Sequence, residues 1–236
     1  MPEASPSTPM VSVVLAVRNG EEDLPRAVES ILSQTLRELE LIIVDDGSED
    51  GTPEYLRSLT DARVKLIRNE RNLGVYPSRN RAQRAARGEF IAVHDHDDLS
   101  RPDRLEKQVA FLRERPDYVA VGGQIISHHP ERPSEVLGGW PDDGRVRWQM
   151  LFHTPIPHQA LMFRRAAAEK LGGYREEHNC AMDYDLECRL AKRSCGIIVS
   201  QRRPRPMRRC ASAYGWRAVS PNGTTRARLS PGGSKR

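Results

Sequence analysis

The sequence is most informative at residues 89–98, which read EFIAVHDHDD. The apolar run at 90–93 has the length of a buried strand, and strands of parallel sheets read this way because both faces of the sheet are covered. Ligands of open α/β sheets bind outside the carboxyl ends of the strands. The carboxylates of Asp95, Asp97 and Asp98 are therefore predicted to lie where a ligand would bind.

Carboxylates this close together need a counter-charge. Two of them about 4 Å apart repel by roughly 4 kcal/mol at an effective dielectric constant near 20, so the cluster needs a cation or protons. A set of oxygen donors suits Mg²⁺ or Mn²⁺, which share their coordination shell with phosphate oxygens. The alternative is an acidic surface loop in which Asp97 or Asp98 caps a helix that starts near Pro102.

A second acidic turn follows another predicted strand. Residues 39–44 read LELIIV, a buried strand, and residues 45–52 read DDGSEDGT. Asp, Gly and Ser form turns, and Ser48 or Asp50 can cap the next helix. Two consecutive carboxylates exceed what a cap needs, so one of them is a candidate acceptor for a base N–H or a ribose hydroxyl. The alternative is a well-capped helix with no ligand.

Predicted strands and helices alternate along the chain, which indicates the α/β class with a mostly parallel, Rossmann-like sheet flanked by helices. The helices have one apolar face each, at residues 24, 27, 28, 31 and 32 in the first and at 105, 108, 109 and 112 in a later one. The sequence has no G-x-G-x-x-G fingerprint and no Walker loop. Neither a nicotinamide site nor a P-loop is therefore supported.

The basic charge of the chain is confined to its last residues. Residues 201–236 hold nine Arg and one Lys without Asp or Glu, and because the whole chain is +5, residues 1–200 carry −5. An acidic body argues against nucleic acid as a partner of the folded part. No apolar run is long enough to span a bilayer, and residues 1–10 lack the features of a signal peptide, so a cytoplasmic protein is expected.

These patterns divide the chain into three parts. Residues 1–10, with three prolines, are predicted to be a disordered lead-in, and residues 11–200 to form one domain. Residues 201–236, rich in Arg, Pro, Ser and Gly without periodicity, are predicted to be a disordered or anomalous tail.

Several segments together resemble glycosyltransferase family 2, whose members have the GT-A fold. The resemblance runs from about Val11 to about Lys192 and is carried by VSVVLAVRN (11–19), SILSQT (30–35), VDDGSEDGT (44–52), NLG (72–74), SRN (78–80), DHDD (95–98) and GGY (172–174). It implies metal-dependent transfer of a sugar, with inversion at the anomeric carbon, from a UDP-, GDP- or dTDP-sugar. The implied cofactor is Mn²⁺ or Mg²⁺.

The resemblance also implies roles on the donor side. Asp46 would hold the nucleoside, and the segment from Ala16 through Val17 to Asn19 would form the other wall of its pocket. The metal ligands would be Asp97 and Asp98, with Asp95 supporting them or contacting the ribose. Arg79 is expected either to contact the phosphates or to lie on a helix surface.

On the acceptor side, inversion requires a base that takes the proton of the attacking hydroxyl. The family's base is the Asp of a Glu-Asp pair that opens a helix, and here that pair reads Met182-Asp183. Asp183 is therefore the predicted base, or else a carboxylate favoured by the helix dipole. His158 is predicted either to line the acceptor pocket or to be structural. The acceptor would be a glycan, a lipid-linked sugar or a protein. Peripheral contact with the inner membrane surface is a further expectation.

The chain departs from the family pattern after about Arg193, where a strand and a C-terminal helix would normally follow. Residues 194–199 are expected to hold a remnant of that strand, after which the pattern ends. No His follows His178, so a metal or phosphate ligand from that region is missing. Two alternatives therefore stay open. One is a degenerate member that binds nucleotide without activity, and the other is a sugar nucleotidyltransferase.

Overall fold

The computed structural model describes residues 8–128, 133–138, 143–177, 181–192 and 195–197. The predicted tail at 201–236 and most of the predicted lead-in lie outside the described residues. At the end of the lead-in, the Met10 backbone N–H donates to the Glu38 carbonyl at 2.7 Å, so the chain is held against the domain from this residue onward.

Within the described residues, the central sheet has seven strands. They are β1 (Val11–Val17), β2 (Leu39–Asp45), β3 (Val64–Arg68), β4 (Phe90–Asp95), β5 (Ala120–Gly122), β8 (Met162–Arg164) and β9 (Cys195–Ile197). Their order is β3-β2-β1-β4-β8-β5-β9, and β6 (Ile125–Ser127) pairs with β7 (Glu135–Leu137) in a separate hairpin. Strands β3, β2, β1 and β4 are parallel, β8 runs antiparallel to both of its neighbours, and β9 is parallel to β5. The predicted α/β class with a mostly parallel sheet is confirmed.

Helices cover both faces of this sheet. They are α1 (Leu24–Leu32), α2 (Thr52–Ser58), α3 (Val75–Ala85), α4 (Arg104–Glu114), α5 (Asp143–Gln149), α6 (Arg165–Leu171) and α7 (Met182–Ala191), with a short 3₁₀ turn at His158–Ala160. In the described part of the chain, no helix is both long enough and apolar enough to cross a membrane.

The apolar residues of the strands alternate between two cores. On β1, Val14 faces a core shared with α3, α5, α6 and α7, while Val13 and Leu15 face a second core shared with α1, α2 and α4. Because both faces are buried, the strands read as continuous apolar runs rather than as alternating ones. The predicted apolar faces of α1 and α4 lie in the second core, with Leu24, Ile31 and Leu105 fully buried.

Strand register determines where the acidic turns meet. Val17 at the end of β1 lies opposite Asp45 of β2, and its neighbour Ala16 lies opposite Asp95 of β4. The carboxyl ends of three adjacent parallel strands therefore reach the same edge of the sheet. This edge carries the candidate site.

Gln34 gives a structural role to the SILSQT segment (30–35), for which the sequence offered only a family resemblance. The side chain is fully buried and its amide N–H₂ donates to the Arg101 carbonyl at 2.6 Å and to the Ser30 carbonyl at 3.0 Å. Its amide oxygen accepts the Leu105 backbone N–H at 3.1 Å. The end of α1 is thus tied to the start of α4, directly after the acidic loop at 95–100.

We expect Gln34→Ala to lower the free energy of unfolding by about 2–4 kcal/mol, because two backbone groups, the part-buried Arg101 carbonyl and the buried Leu105 N–H, lose their partner. The matched control is Thr35→Ala, which removes an exposed hydrogen bond to Glu106 and should cost less than about 1 kcal/mol. Urea denaturation of both variants measures the difference. Equal losses would contradict the bridging role of Gln34.

Candidate active site

Asp46 lies at the end of β2 and is almost fully buried. Its carboxylate accepts the Asn69 side-chain amide at 2.7 Å and the backbone N–H groups of Leu73 and Gly74 at 2.9 and 2.8 Å. Gly74 has a φ of +99°, which a residue with a side chain rarely adopts. Asp46 therefore fixes the loop that leads into α3. A carboxylate has about four acceptor positions, so about one remains for a ligand.

Hydrogen bonds of Asp45 and Asn19 join the loop after β1, here called the first loop, to the turn after β2. Asp45 accepts the Ser48 N–H at 2.9 Å and pairs with Arg68 at 3.1 Å. The Ser48 hydroxyl accepts the Asn19 N–H at 2.9 Å, while the Asn19 side-chain oxygen accepts the Glu49 N–H at 2.9 Å. These two hydrogen bonds hold Asn19 at a φ of +53°.

The segment from Ala16 to Asn19, which is predicted to form a wall of the nucleoside pocket, adjoins Asp46 directly. The Asp46 N–H donates to the Val17 carbonyl at 2.8 Å, and Ala16 precedes it on the same strand. The next helix, α2, has Gly51 at its N-cap position, and the carboxylate of Asp50, one of the two predicted capping residues, accepts the N–H of its first residue, Thr52, at 3.0 Å. Asp45 and Asp46 have the other partners described above, so two further carboxylates lie here beyond what the start of the helix uses.

The three carboxylates after β4 form a compact group. One oxygen each of Asp95, Asp97 and Asp98 lies within 4.8 Å of the others, and all three residues are half-buried. Three carboxylate oxygens at this separation fit a hard divalent cation such as Mg²⁺ or Mn²⁺. The helix that follows, α4, has Asp103 at its N-cap position, so the alternative in which Asp97 or Asp98 caps it is wrong.

A buried arginine balances the charge at the end of β4. The Arg79 guanidinium, 7% exposed, forms an ion pair with Asp95 and lies 5.9 Å from the centre of the Tyr76 ring. Its Nε atom is buried without a hydrogen-bond partner. Burial alone would raise the pKa of Asp95, but Arg79, with smaller contributions from three histidines, holds that pKa below its ordinary value. Of the two placements expected for Arg79, the helix surface is excluded.

Arg104, the first residue of α4, is a second cation that the sequence analysis missed. It donates to the Val93 carbonyl at 2.8 Å and to the Ser100 hydroxyl at 2.9 Å. Burial lowers the pKa of Arg104 to about 10, while Asp98 and Asp95 favour its charged form. It stays protonated at neutral pH. Its position nine residues after Asp95 carries no recognisable motif.

Two histidines flank Asp95, one of them buried and the other packed against the loop after β1. His94 is buried, its Nδ1 lies 2.6 Å from the Asp95 carbonyl, and burial, followed by Arg104, lowers its pKa to about 4. The His96 ring packs on Gly20, where an added Cβ would lie 2.8 Å from the ring. Glycine at this position therefore lets the acidic loop close on the first loop.

Asp183 lies half-buried in the first turn of α7, with one oxygen accepting the Tyr184 N–H at 2.8 Å. Burial and the Asp183 charge together raise the pKa of Tyr76 to about 12, which indicates that the two side chains are close. Tyr76 also contacts Arg79, so Asp183 and the Arg79–Asp95 pair are linked through one aromatic ring. Asp185 points elsewhere, toward Arg189 at 2.7 Å and Arg175 at 3.5 Å.

His158 is buried, and both ring nitrogens have partners. Nδ1 lies 2.9 Å from Glu187 and Nε2 lies 2.6 Å from the Tyr174 hydroxyl. Burial and the nearby Arg79 lower its pKa to about 3. Of the two expectations for His158, the structure favours the structural one, since neither nitrogen is available to an acceptor. Glu187 was not singled out by the sequence.

Comparison with known proteins gives a family and a fold. The sequence profile of the family described as Glycosyl transferase family 2 matches residues 12–171. EpsE of Bacillus subtilis (strain 168) is 41% identical over 187 residues, which is 77% of this chain and 66% of EpsE. The chain thus spans slightly less than two thirds of this relative.

Two solved structures are similar in fold. S. aureus TarS in complex with UDP has a TM-score of 0.67 at 20% identity, covering 80% of this chain and 57% of that one. A mannosyltransferase, PcManGT from Pyrobaculum calidifontis, in complex with GDP-Man and Mn²⁺, has a TM-score of 0.61 at 22% identity, covering 83% and 56%. At these identities, the likeness concerns the fold alone.

We expect Arg79→Met to lower the free energy of unfolding by about 3 kcal/mol, because it leaves a carboxylate without its buried counter-charge. Adding Asp95→Asn should recover part of that loss, so the double-mutant cycle should give a coupling energy above about 1 kcal/mol. Arg113→Met is the matched control, since it removes a surface pair with Glu89 at 3.3 Å and should cost less than about 1 kcal/mol. Additive effects of the two buried substitutions would contradict the pairing.

Proposed function

We propose that this chain, which belongs to glycosyl transferase family 2, transfers a sugar from a nucleoside-diphosphate sugar to an acceptor hydroxyl with inversion at the anomeric carbon. The observation that carries the proposal is the strand register, which brings the Asp46 turn and the Asp95–Asp98 loop to one edge of the sheet. The nucleoside would need a hydrogen-bond acceptor, which Asp46 offers. The diphosphate with its divalent cation would need neighbouring carboxylates, which the Asp95–Asp98 loop offers.

For the donor nucleoside, we propose the pocket between the first loop and the Asp46 turn. Ala16, Val17 and Asn19 would form one wall, and Asp46 would offer its remaining acceptor position to a base N–H or a ribose hydroxyl. TarS binds UDP and PcManGT binds GDP-Man, which supports a uridine or guanosine donor here, with dTDP as the third candidate.

For the diphosphate, we propose Asp97 and Asp98 as ligands of Mn²⁺ or Mg²⁺, with Asp95 supporting them or contacting the ribose. The bound cation would supply positive charge next to the oxygen on which negative charge grows as the glycosidic bond breaks. Arg79 would then act on the phosphates indirectly, by holding Asp95 in its ionised form. The Mn²⁺ of PcManGT supports a divalent cation.

For the acceptor, we propose Asp183 as the general base. As the acceptor oxygen bonds to the anomeric carbon and the bond to the diphosphate breaks, the hydroxyl proton passes to the Asp183 carboxylate. Asp183 lies in the first turn of α7, and its half-exposed side chain is open to solvent on one side, from which an acceptor hydroxyl would approach.

One observation favours a second candidate, a nucleotide-binding member without transfer activity. Met182 takes the place of the family's Glu, is 8% exposed and packs in the core rather than beside the acceptor. A nucleotidyltransferase has no such support, and the family match argues against it. The acceptor class, cytoplasmic location and contact with a membrane surface all stay predictions.

Asp97→Asn and Asp46→Ala should weaken nucleotide binding in different ways. Asp97→Asn removes charge from the proposed cation site, so the gain in UDP or GDP affinity produced by Mn²⁺ should fall by roughly tenfold or more, about 1.4 kcal/mol. Asp46→Ala should weaken binding equally with and without Mn²⁺. Isothermal titration calorimetry separates the two, and an unchanged Mn²⁺ effect in Asp97→Asn would exclude the metal assignment.

Asp183→Asn tests the base. Transfer should fall by ~10²–10⁴, whereas donor affinity and its dependence on Mn²⁺ should stay at the wild-type level. A carboxylate that serves only the helix dipole predicts the reverse, a stability loss of roughly 0.3–1 kcal/mol with transfer kept. Turnover and melting temperature measured on one preparation decide between them. A wild-type protein that binds donor without transferring it would favour the second candidate function.

A further inference from the structure

Three polar side chains form a chain of hydrogen bonds inside the domain, behind Asp183. Glu187 of α7, 1% exposed, contacts His158 Nδ1 at 2.9 Å, and His158 Nε2 contacts the Tyr174 hydroxyl at 2.6 Å. His158 lies in the 3₁₀ turn before β8, and Tyr174 follows α6. The chain therefore joins three separate segments of the fold. The second Glu187 oxygen, Oε2, is buried without a hydrogen-bond partner.

The direction of these hydrogen bonds depends on one proton. Burial, and after it the Asp183 charge, raises the pKa of Glu187 well above its ordinary value, while burial lowers the pKa of His158. Both shifts favour a protonated Glu187 beside a neutral imidazole. Glu187 then donates to His158 Nδ1, and the N–H at Nε2 donates to the Tyr174 hydroxyl, so every bond in the chain has one donor and one acceptor.

Glu187 lies one helical turn behind the proposed base. Residues four apart on a helix share a face, so an ionised Glu187 would put a second negative charge on the face that carries Asp183. The titratable and charged groups around Glu187 are His158, Tyr174, Asp183, Tyr184 and Cys188, with Arg79, Asp95 and Tyr76 beyond them. Of these, the cation Arg79 is already paired with Asp95.

We propose that Glu187 is a positioning residue for Asp183, acting through the Glu187–His158–Tyr174 chain, which holds the start of α7 in place while Glu187 carries its proton. The inference rests on the proposed role of Asp183 as base. When Glu187 releases that proton to solvent, both hydrogen bonds must reverse. His158 then donates from Nδ1, and the Tyr174 hydroxyl donates to Nε2.

Two substitutions at Glu187 separate positioning from packing. Glu187→Gln keeps a neutral donor to His158, so below the pH at which Glu187 ionises kcat should stay within about threefold of wild type. Glu187→Leu removes the donor, and kcat should fall about 10- to 100-fold while KM for the donor sugar is unchanged, because a small displacement of the base affects only the chemical step. Glu169→Gln, a change on the exposed face of α6, is the control and should change neither value.

The pH dependence of kcat distinguishes positioning from packing, because a packing defect alone would not change it. Wild-type kcat should decline at high pH as Glu187 ionises beside Asp183, and this decline should be absent in Glu187→Gln. The same decline in both proteins would overturn the inference. So would a Glu187→Leu variant that keeps wild-type kcat.

The His158 ring provides a test that does not require transfer activity. Nuclear magnetic resonance of ¹⁵N-histidine-labelled protein, with His158 assigned by its loss in His158→Asn, should show a neutral ring protonated at Nε2 in wild type and in Glu187→Gln. As pH rises, the proton should move to Nδ1 in wild type alone. A ring that becomes cationic near pH 6.5, the ordinary value, or that carries its proton at Nδ1 at neutral pH would overturn the inference. Loss of transfer in wild type with the expected ring state would instead count against the proposed function.

Discussion

Carboxylates gathered at the ends of β2 and β4 repel one another, and the domain around them is organised by the need to neutralise that charge. The Asp46 carboxylate is stabilised by three hydrogen bonds from uncharged N–H donors of the loop before α3. Asp95 is neutralised by Arg79, a fully charged group placed in the core by the helix that the same loop begins. One continuous segment, the loop at 69–74 followed by α3, thus supplies the partners of both acidic turns. Asp97 and Asp98 add further negative charge, for which a divalent cation is the proposed partner.

The need to compensate buried charge also applies inside the domain, around Glu187. With Arg79 already paired, no second buried cation among the described residues is paired with Glu187. Burial therefore favours the neutral form of the Glu187 carboxyl group, which contacts His158 at 2.9 Å. Asp183 lies between these two regions, next to Tyr76 and one turn from Glu187. The environment of the proposed base therefore depends on which of its neighbours hold a proton.

The sequence predicted the parts of this arrangement that depend on local pattern. Strands β2 and β4 are predicted from the apolar runs at 41–44 and 90–93, because parallel strands are covered on both faces, and the acidic turns follow these runs closely. The antiparallel β8 was not predicted, since three residues give too short a pattern. The helix α3 begins at Val75, directly after Gly74, whose positive φ and hydrogen bond to Asp46 depend on the folded loop and have no apolar pattern that predicts them. Arg104 is not predicted because no motif marks it, and Glu187 is not predicted because its partner His158 lies 29 residues away and meets it only when the chain is folded.

The central claim is that the two acidic turns together bind a nucleoside diphosphate through a divalent cation. Titration calorimetry of the wild-type chain with UDP, GDP and dTDP, each with and without Mn²⁺, tests it most directly. The account predicts measurable binding of at least one nucleotide, strengthened roughly tenfold or more by Mn²⁺, with weaker binding of the corresponding nucleoside monophosphate, which has one phosphate fewer for the cation. Binding of none of the three in the presence of Mn²⁺, or binding that Mn²⁺ leaves unchanged, would contradict it.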